Sequence, residues 1–380
     1  MHRDHQDTPS RFRAVALDLD GTLLTSSRRI SSFTAHVLRK LVDLGVHIII
    51  ASGRGEQLIL HCAEYLPQRF HIVAHNGGIS ALVERRDHSW RDTASIHPTG
   101  ASVAASESSK QNVTLQTFPE KAHTEHFAHY EPKIQRHDEL HLIPIHNHAI
   151  PQPALLRIFN SMLSHTIAIP MADGRTRGAA DRMAEEGKLE SMGDDAEGLK
   201  CESAKLSILG WIYGDSHMYV QSEEEETYFK TIGLDAVLER NLLPLLKLDS
   251  IIKIDFPINF PGSSPQSQEA YRIALFSHLQ SLGLESYGVH IHNLSRNLDV
   301  SVTNKGEGLR ELCAHIGVDM SEVVAFGDDG NDVGMLRSVG MGIAPSNARE
   351  AAKIAARKVS LFSNDEDCVG RELSEIFALN

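Results

Sequence analysis

Four short, mostly apolar runs punctuate the two ends of this chain, and each is closed by a polar cluster: Ala14-Val15-Ala16-Leu17, His47-Ile48-Ile49-Ile50-Ala51, Ile72-Val73-Ala74 and Val323-Val324-Ala325-Phe326. Runs this short without polar interruption predict strands buried on both faces. Between the first two, Phe33, Val37, Leu38, Leu41 and Val42 recur at helical spacing, with Ser31 or Ser32 as N-cap and Gly45 as terminator. A second helix is expected over 57–65, stopped near Pro67. Strand and helix in alternation predict an α/β fold, a Rossmann-like doubly wound parallel sheet with right-handed crossovers.

From about Ile79 the pattern changes. Ile79, Ala81 and Val83 alternate with polar residues, and 101–112 is Ser/Ala-rich, a loop or an insertion. Strand-like alternation over 137–150 precedes a helix over 151–164. The Gly-, Glu- and Asp-rich 171–202 predicts a long loop or a mobile surface helix. Strands are expected at 203–211, 218–221, 251–254 and 288–292, and a helix at 265–282. Ser222-Glu223-Glu224-Glu225-Glu226 suits a solvated helix start better than an acidic metal site. This stretch reads as an α/β domain inserted into the first. The doubly wound pattern returns with a strand at 299–302, a helix over 306–316 ended by Gly317, and edge strands near 342–344 and 359–361.

At 380 residues the chain suits two cores. Its net charge of -13 argues against a nucleic-acid partner, which needs a basic face. A phosphorylated small molecule is compatible, because a cation with one or two Lys or Arg sets the local sign. The four cysteines, Cys62, Cys201, Cys313 and Cys368, form no motif, and no apolar stretch reaches membrane-spanning length. A soluble, cytoplasmic protein without a membrane partner is expected.

The polar clusters carry the candidate chemistry: Asp18 and Asp20, Ser52 with Gly53, Asn76, and Asp328 with Asn331 and Asp332. One Asp-rich turn after a buried strand is unremarkable. Four clusters at the carboxyl ends of one sheet converge on one crevice. Phosphoryl transfer asks mostly for positioning and charge stabilisation. A Mg²⁺ held by carboxylates such as Asp18 and Asp328 can bridge a phosphate. Ser52, the Gly53 N–H, Lys305 and the Asn331 amide can clamp its oxygens. Asp18 can attack phosphorus to give an aspartyl-phosphate, with Asp20 as acid and then base.

These residues resemble the haloacid-dehalogenase-like (HAD) phosphatases. Asp18-Leu19-Asp20-Gly21-Thr22-Leu23-Leu24 is similar to the first motif of that superfamily, Ala51-Ser52-Gly53-Arg54 to the second, Lys305-Gly306 to the third, and Gly327-Asp328-Asp329-Gly330-Asn331-Asp332 to the fourth. Val333-Gly334-Met335-Leu336, Asn76-Gly77-Gly78, Ser346-Asn347-Ala348 and Asn364-Asp365-Glu366-Asp367 resemble its Cof-type branch. The resemblance implies a core over 12–86 and 297–380 and a subclass IIB cap over 87–296 that chooses the substrate; 1–11, rich in polar residues, reads as a tail. It also implies Mg²⁺ held by the Asp18 carboxylate, the Asp20 backbone carbonyl and Asp328, with Asp332 supporting that shell. Ser52, Gly53, Lys305 and Asn331 then bind phosphate. Cys368 departs from the pattern, standing where the family usually has Gly.

Other signals weigh less. His123, His126 and His129 sit three apart, with His137, His141, His146 and His148 beyond, but no Cys spacing completes a zinc set. Arg54 can bind an anion or close a salt bridge at the rim, His75 can touch substrate or shape its loop, and Trp90 and Trp211 suit the core of the insert. The expected activity is Mg²⁺-dependent hydrolysis of a small phosphorylated metabolite. The alternatives are a phosphomutase on a similar core and a non-catalytic sensor that keeps the fold; the intact Asp18, Asp20, Lys305 and Asp328 favour an enzyme.

Overall fold

The computed structural model describes residues 11–62, 65–85, 140–170, 191–192, 203–214, 217–231, 234, 236–248, 250–258, 263–294 and 297–379. The chain begins with β1 (Ala14–Leu17), α1 (Ser32–Asp43), β2 (His47–Ala51), α2 (Glu56–Leu60), β3 (Arg69–Ala74), β4 (Ile79–Arg85) and β5 (Leu140–Asn147). The insert follows as α3 (Gln152–Ser164), β6 (Thr166–Pro170), β7 (Ser191–Met192), β8 (Ser203–Ser207), β9 (Trp211–Gly214), β10 (Met218–Val220), α4 (Glu223–Thr231), β11 (Ala236–Leu238), α5 (Leu245–Leu248), β12 (Ile251–Pro257), α6 (Pro265–Ser281), β13 (His290–Asn293) and β14 (Asn297–Ser301). The chain returns through α7 (Lys305–Ile316), β15 (Val323–Phe326), α8 (Val333–Ser338), β16 (Met341–Ala344), α9 (Glu350–Ala355), β17 (Lys358–Val359) and α10 (Cys368–Ile376).

The strands form an eight-stranded sheet in the order β17-β16-β15-β1-β2-β3-β4-β5, a six-stranded sheet β11-β10-β9-β12-β14-β13 and a three-stranded sheet β6-β8-β7. In the first, β17 through β3 run parallel, and β4 and β5 are antiparallel additions at one edge. The strand order reverses at β1, so a crevice opens at its carboxyl end.

Strand periodicity explains the two layers of helix. Val15, Leu17, Ile48, Ile50, Val324 and Phe326 point to one face and pack with Val37, Leu38 and Leu41 of α1 and Val369 and Leu373 of α10. Ala14, Ala16, Ile49, Ala51, Val323 and Ala325 point to the other, onto Leu309, Leu312 and Cys313 of α7 and Met335 of α8. The many alanines on this second face let α7 approach closely. A Cβ on Gly308 would lie 2.6 Å from the Gly77 Cα, and one on Gly306 would lie 2.8 Å from the Gly334 carbonyl carbon. Asn304 caps α7 by accepting from the Glu307 N–H at 3.1 Å, and Gly317 ends it in the left-handed region.

Two strands fall on the other side of the expected division. β5, within the expected insert, pairs with β4 in the core sheet, and β14, expected to resume the core, pairs with β12 and β13 in the insert's sheet. In both places neighbours decide: β5 extends an antiparallel edge that β4 has already opened. The second helix is shorter than its periodicity suggested, ending at Leu60. The acidic run does open a solvated helix, α4. Asp367, not Cys368, takes the left-handed backbone before α10. The segment 101–112, most of 171–202, Trp90, His123, His126, His129 and His137 lie outside the described residues. No helix among the described residues is long and apolar enough to cross a membrane.

His71, on β3, is buried and its Nδ1 has no hydrogen-bond partner. Burial first, then the neighbouring His47, Arg69 and His315, lower its pKa from 6.5 to about 4. The fold therefore favours the neutral ring. As pH falls below 6.5 the unfolded chain takes up the proton first, so this stability is present above 6.5 and lost between there and about 4. Urea unfolding at pH 7.0 and 4.5 is expected to show an acid loss about 2 kcal/mol smaller in His71→Leu than in the parent protein. Equal losses in both proteins contradict the assignment.

Candidate active site

The four polar clusters meet above β15, β1, β2 and β3, which are adjacent in the sheet. Asp18 leaves β1 and Asp328 leaves β15, on the two sides of the point where the strand order reverses. Close packing of α7 brings Lys305, its first residue, beneath them. The Lys305 ammonium donates to Asp18 Oδ1 at 2.5 Å and to Asp332 Oδ1 at 2.7 Å, with all three side chains buried. The other oxygen of Asp332 accepts the backbone N–H groups of Asp328 and Asp329 at 2.9 and 3.0 Å, fixing the loop that aims Asp328. Thr22 donates its hydroxyl to Asp328 Oδ1 at 2.9 Å. Gly21, at φ +77, is required here: a Cβ would stand 2.5 Å from Asp328 Oδ2.

The Asp18, Asp328 and Asp332 carboxylates offer ligand atoms within 4.8 Å of one another. Three acids face one ammonium in this cluster. Burial pushes the Asp18 carboxyl up against the pull of Lys305, and burial and then Asp332 raise Asp328 to about 6. An added divalent cation favours the ionised forms. All-oxygen donors in a cradle that only glycine leaves open fit a hard cation.

Asp20 is turned away from that cluster. Its carboxylate is gripped bidentately by Arg54, with Nε at 2.7 Å from Oδ2 and Nη2 at 2.6 Å from Oδ1. Burial acts to raise its pKa, but the Arg54 guanidinium outweighs burial and holds Asp20 below the usual carboxylate range. Ser52 is buried, and its Oγ accepts the Arg54 N–H at 3.1 Å, leaving its own O–H free to donate. Gly53 sits against two amides: its Cβ would be 3.2 Å from Asn76 Oδ1 and 3.6 Å from Asn331 Nδ2. The structure thus groups Asp18, Asp328, Asp332 and Lys305 in one cluster and Gly53 and Asn331 in another beside Ser52, with Asp20 on Arg54.

His75 shapes its loop: it bonds Glu56 at 3.1 Å and lies 5.1 Å from the Tyr213 ring of β9. Trp211 belongs to the insert's packing, edge-on to Phe229 at 5.0 Å. Sequence reasoning missed Lys253, Asp255 and Asp299, which line the insert's side of the seam. A usable signal was present: Lys253 and Asp255 interrupt an apolar strand two positions apart and so share one face.

The family model of haloacid dehalogenase-like hydrolases matches residues 15–152 and 200–373. A 5-amino-6-(5-phospho-D-ribitylamino)uracil phosphatase of Bacillus subtilis (strain 168) is 23% identical, over 96% of this chain and 97% of that protein. An Escherichia coli (strain K12) phosphatase of the same name is 39% identical over 28% of this chain, a match that spans 36% of the E. coli protein. The solved structure of a HAD subclass IIB sugar phosphatase covers 96% of this chain and 98% of its own, at 17% identity and a TM-score of 0.52.

Proposed function

Because the chain belongs to the haloacid dehalogenase-like hydrolase family, we propose that it is a phosphatase that removes phosphate from a small phosphorylated metabolite, a sugar phosphate or a similar polyol ester, with Mg²⁺ as its cofactor. The observation that carries this reading is the buried Asp18–Lys305–Asp332 cluster with Asp328 beside it, at the reversal point of the sheet. The names of the full-length relative and of the structural neighbour support the substrate class.

In this reading Asp18 and Asp328, with the Asp20 backbone carbonyl, hold Mg²⁺, and Asp332 supports them. The ion supplies positive charge to the transferring phosphoryl group. Lys305, the Ser52 hydroxyl, the Gly53 N–H and the Asn331 amide donate to the phosphate oxygens. Asp18 attacks phosphorus as the bond to the leaving oxygen breaks, giving an aspartyl-phosphate. Asp20, once parted from Arg54, gives that leaving oxygen its proton. It then takes a proton from water, which attacks phosphorus, frees the Asp18 carboxylate and releases inorganic phosphate. The insert between β5 and α7 acts as the cap that selects the leaving group and excludes water. A cytoplasmic setting suits the free, buried thiols of Cys313 and Cys368.

A panel of phosphate monoesters, assayed with Mg²⁺ and with excess chelator, tests this. Release of phosphate from at least one ester, lost on chelation and restored by Mg²⁺, is the expected result. Silence across the panel, or full activity in chelator, contradicts it.

A further inference from the structure

The seam between the two large sheets is charged and closed. Lys253 and Asp255 project from one face of β12, and Asp299 of β14 is the paired neighbour of Asp255. Their exposures are 2%, 5% and 0%. Lys253 Nζ donates to Asp255 Oδ2 at 2.9 Å and, across the seam, to the Gly53 carbonyl at 2.7 Å. Asp299 Oδ2 accepts from Asn76 Nδ2 at 2.5 Å, also across the seam. On the core side Asn76 Oδ1 accepts from Asn331 Nδ2 at 2.8 Å. Asn76 and His75 both hold left-handed backbone, at φ 54 and 51. Such geometry in non-glycine residues persists where surrounding contacts over-determine it.

The polarity of these contacts runs in one direction. Burial and then Asp255 raise the Asp299 pKa to about 7, but a carboxyl oxygen that carries no proton only accepts, so Asp299 Oδ2 draws the Asn76 NH₂ toward itself and turns the Asn76 carbonyl to Asn331. That carbonyl in turn draws the Asn331 NH₂, leaving its second N–H to donate elsewhere. The second limb ends on Ser52. Lys253 binds the carbonyl of the Gly53–Arg54 peptide, whose N–H donates to Ser52 Oγ and so orients the hydroxyl.

We infer that Lys253 and Asp299 are positioning residues through which the insert sets the orientation of the core's phosphate donors, Asn331 through Asn76 and Ser52 through the Gly53–Arg54 peptide. The inference rests on the phosphate-binding reading above. It makes the insert part of the phosphate clamp itself, in addition to any contact with the leaving group. Even a substrate too small to reach the insert then depends on these two residues.

The test compares Asp299→Leu, which removes the acceptor, with Asp299→Asn, which keeps one. Inorganic phosphate is titrated calorimetrically in the presence of Mg²⁺, and p-nitrophenyl phosphate turnover and thermal melting are measured alongside. Asp299→Leu is expected to weaken phosphate binding about tenfold or more and to lower kcat/KM in proportion, whereas Asp299→Asn stays within about threefold. A folded Asp299→Leu that binds phosphate as tightly as the parent overturns the inference, as does Asp299→Asn if it is equally impaired. If Asp299→Leu does not fold, Lys253→Met in the Asp299→Asn background reads the other limb with only Asp255 left charged, and unchanged phosphate affinity there overturns the inference equally. A parent protein that binds phosphate but turns over no ester overturns the phosphatase reading alone, because the titration reads the clamp without turnover.

Discussion

Asp18→Asn is expected to lower hydrolysis of p-nitrophenyl phosphate by about 10⁴-fold or more, with the protein still folded. The amide keeps the shape of the side chain and loses the nucleophilic charge. Little stability is at risk. Burial already disfavours the charged form of Asp18, and Lys305 keeps its bond to Asp332. Steady-state kinetics with a melting curve on the same preparation separate the two effects. Activity above about one per cent of the parent in a folded variant removes Asp18 as the nucleophile.

Lys305→Met has the opposite profile: its first effect is on stability. Burial disfavours the Lys305 charge, but Asp18 and Asp332 outweigh burial and raise its pKa further, so the ammonium is held at any working pH. Removing it leaves Asp18 and Asp332 buried, with the partly buried Asp328 beside them, around no cation. The expected loss is about 3–5 kcal/mol, the cost of breaking a buried ion pair from one side. Urea unfolding in chelator reads it. Mg²⁺ is expected to return more of the loss in this variant than it adds to the parent, because the ion then supplies the missing positive charge. A variant that unfolds like the parent shows that some other group compensates the acids.

Much of this was legible in the sequence because parallel strands buried on both faces are written as uninterrupted apolar runs. Ala14-Val15-Ala16-Leu17 and Val323-Val324-Ala325-Phe326 pair in register at the centre of the sheet, and the polar residues that close them lie where the strand order reverses. Division of the chain was less legible, for a physical reason. An edge strand such as β5 alternates like any antiparallel strand, and nothing local to it says which sheet it joins. The same holds for Asp299, which reads as the first residue of a short strand until its partner Asn76, more than two hundred residues earlier in sequence, is found across the seam. Arg54 was an open choice between anion ligand and salt bridge. The structure shows it holding Asp20, a pairing between two loops that neither loop's sequence specifies.

The position of β1 between β15 and β2 bears on how this protein is made. The strand that leads to Asp18 leaves the ribosome well before Val323–Phe326, for which one of its edges waits. Until then an apolar strand with open backbone groups sits beside a growing insert, the kind of exposed edge that recruits foreign strands. Closing so long a loop adds little in free energy, since the cost rises only with the logarithm of its length, but it slows assembly. Lys305 is made only shortly before that strand, so until then Asp18 stands in the nascent chain without the ammonium that pairs with it.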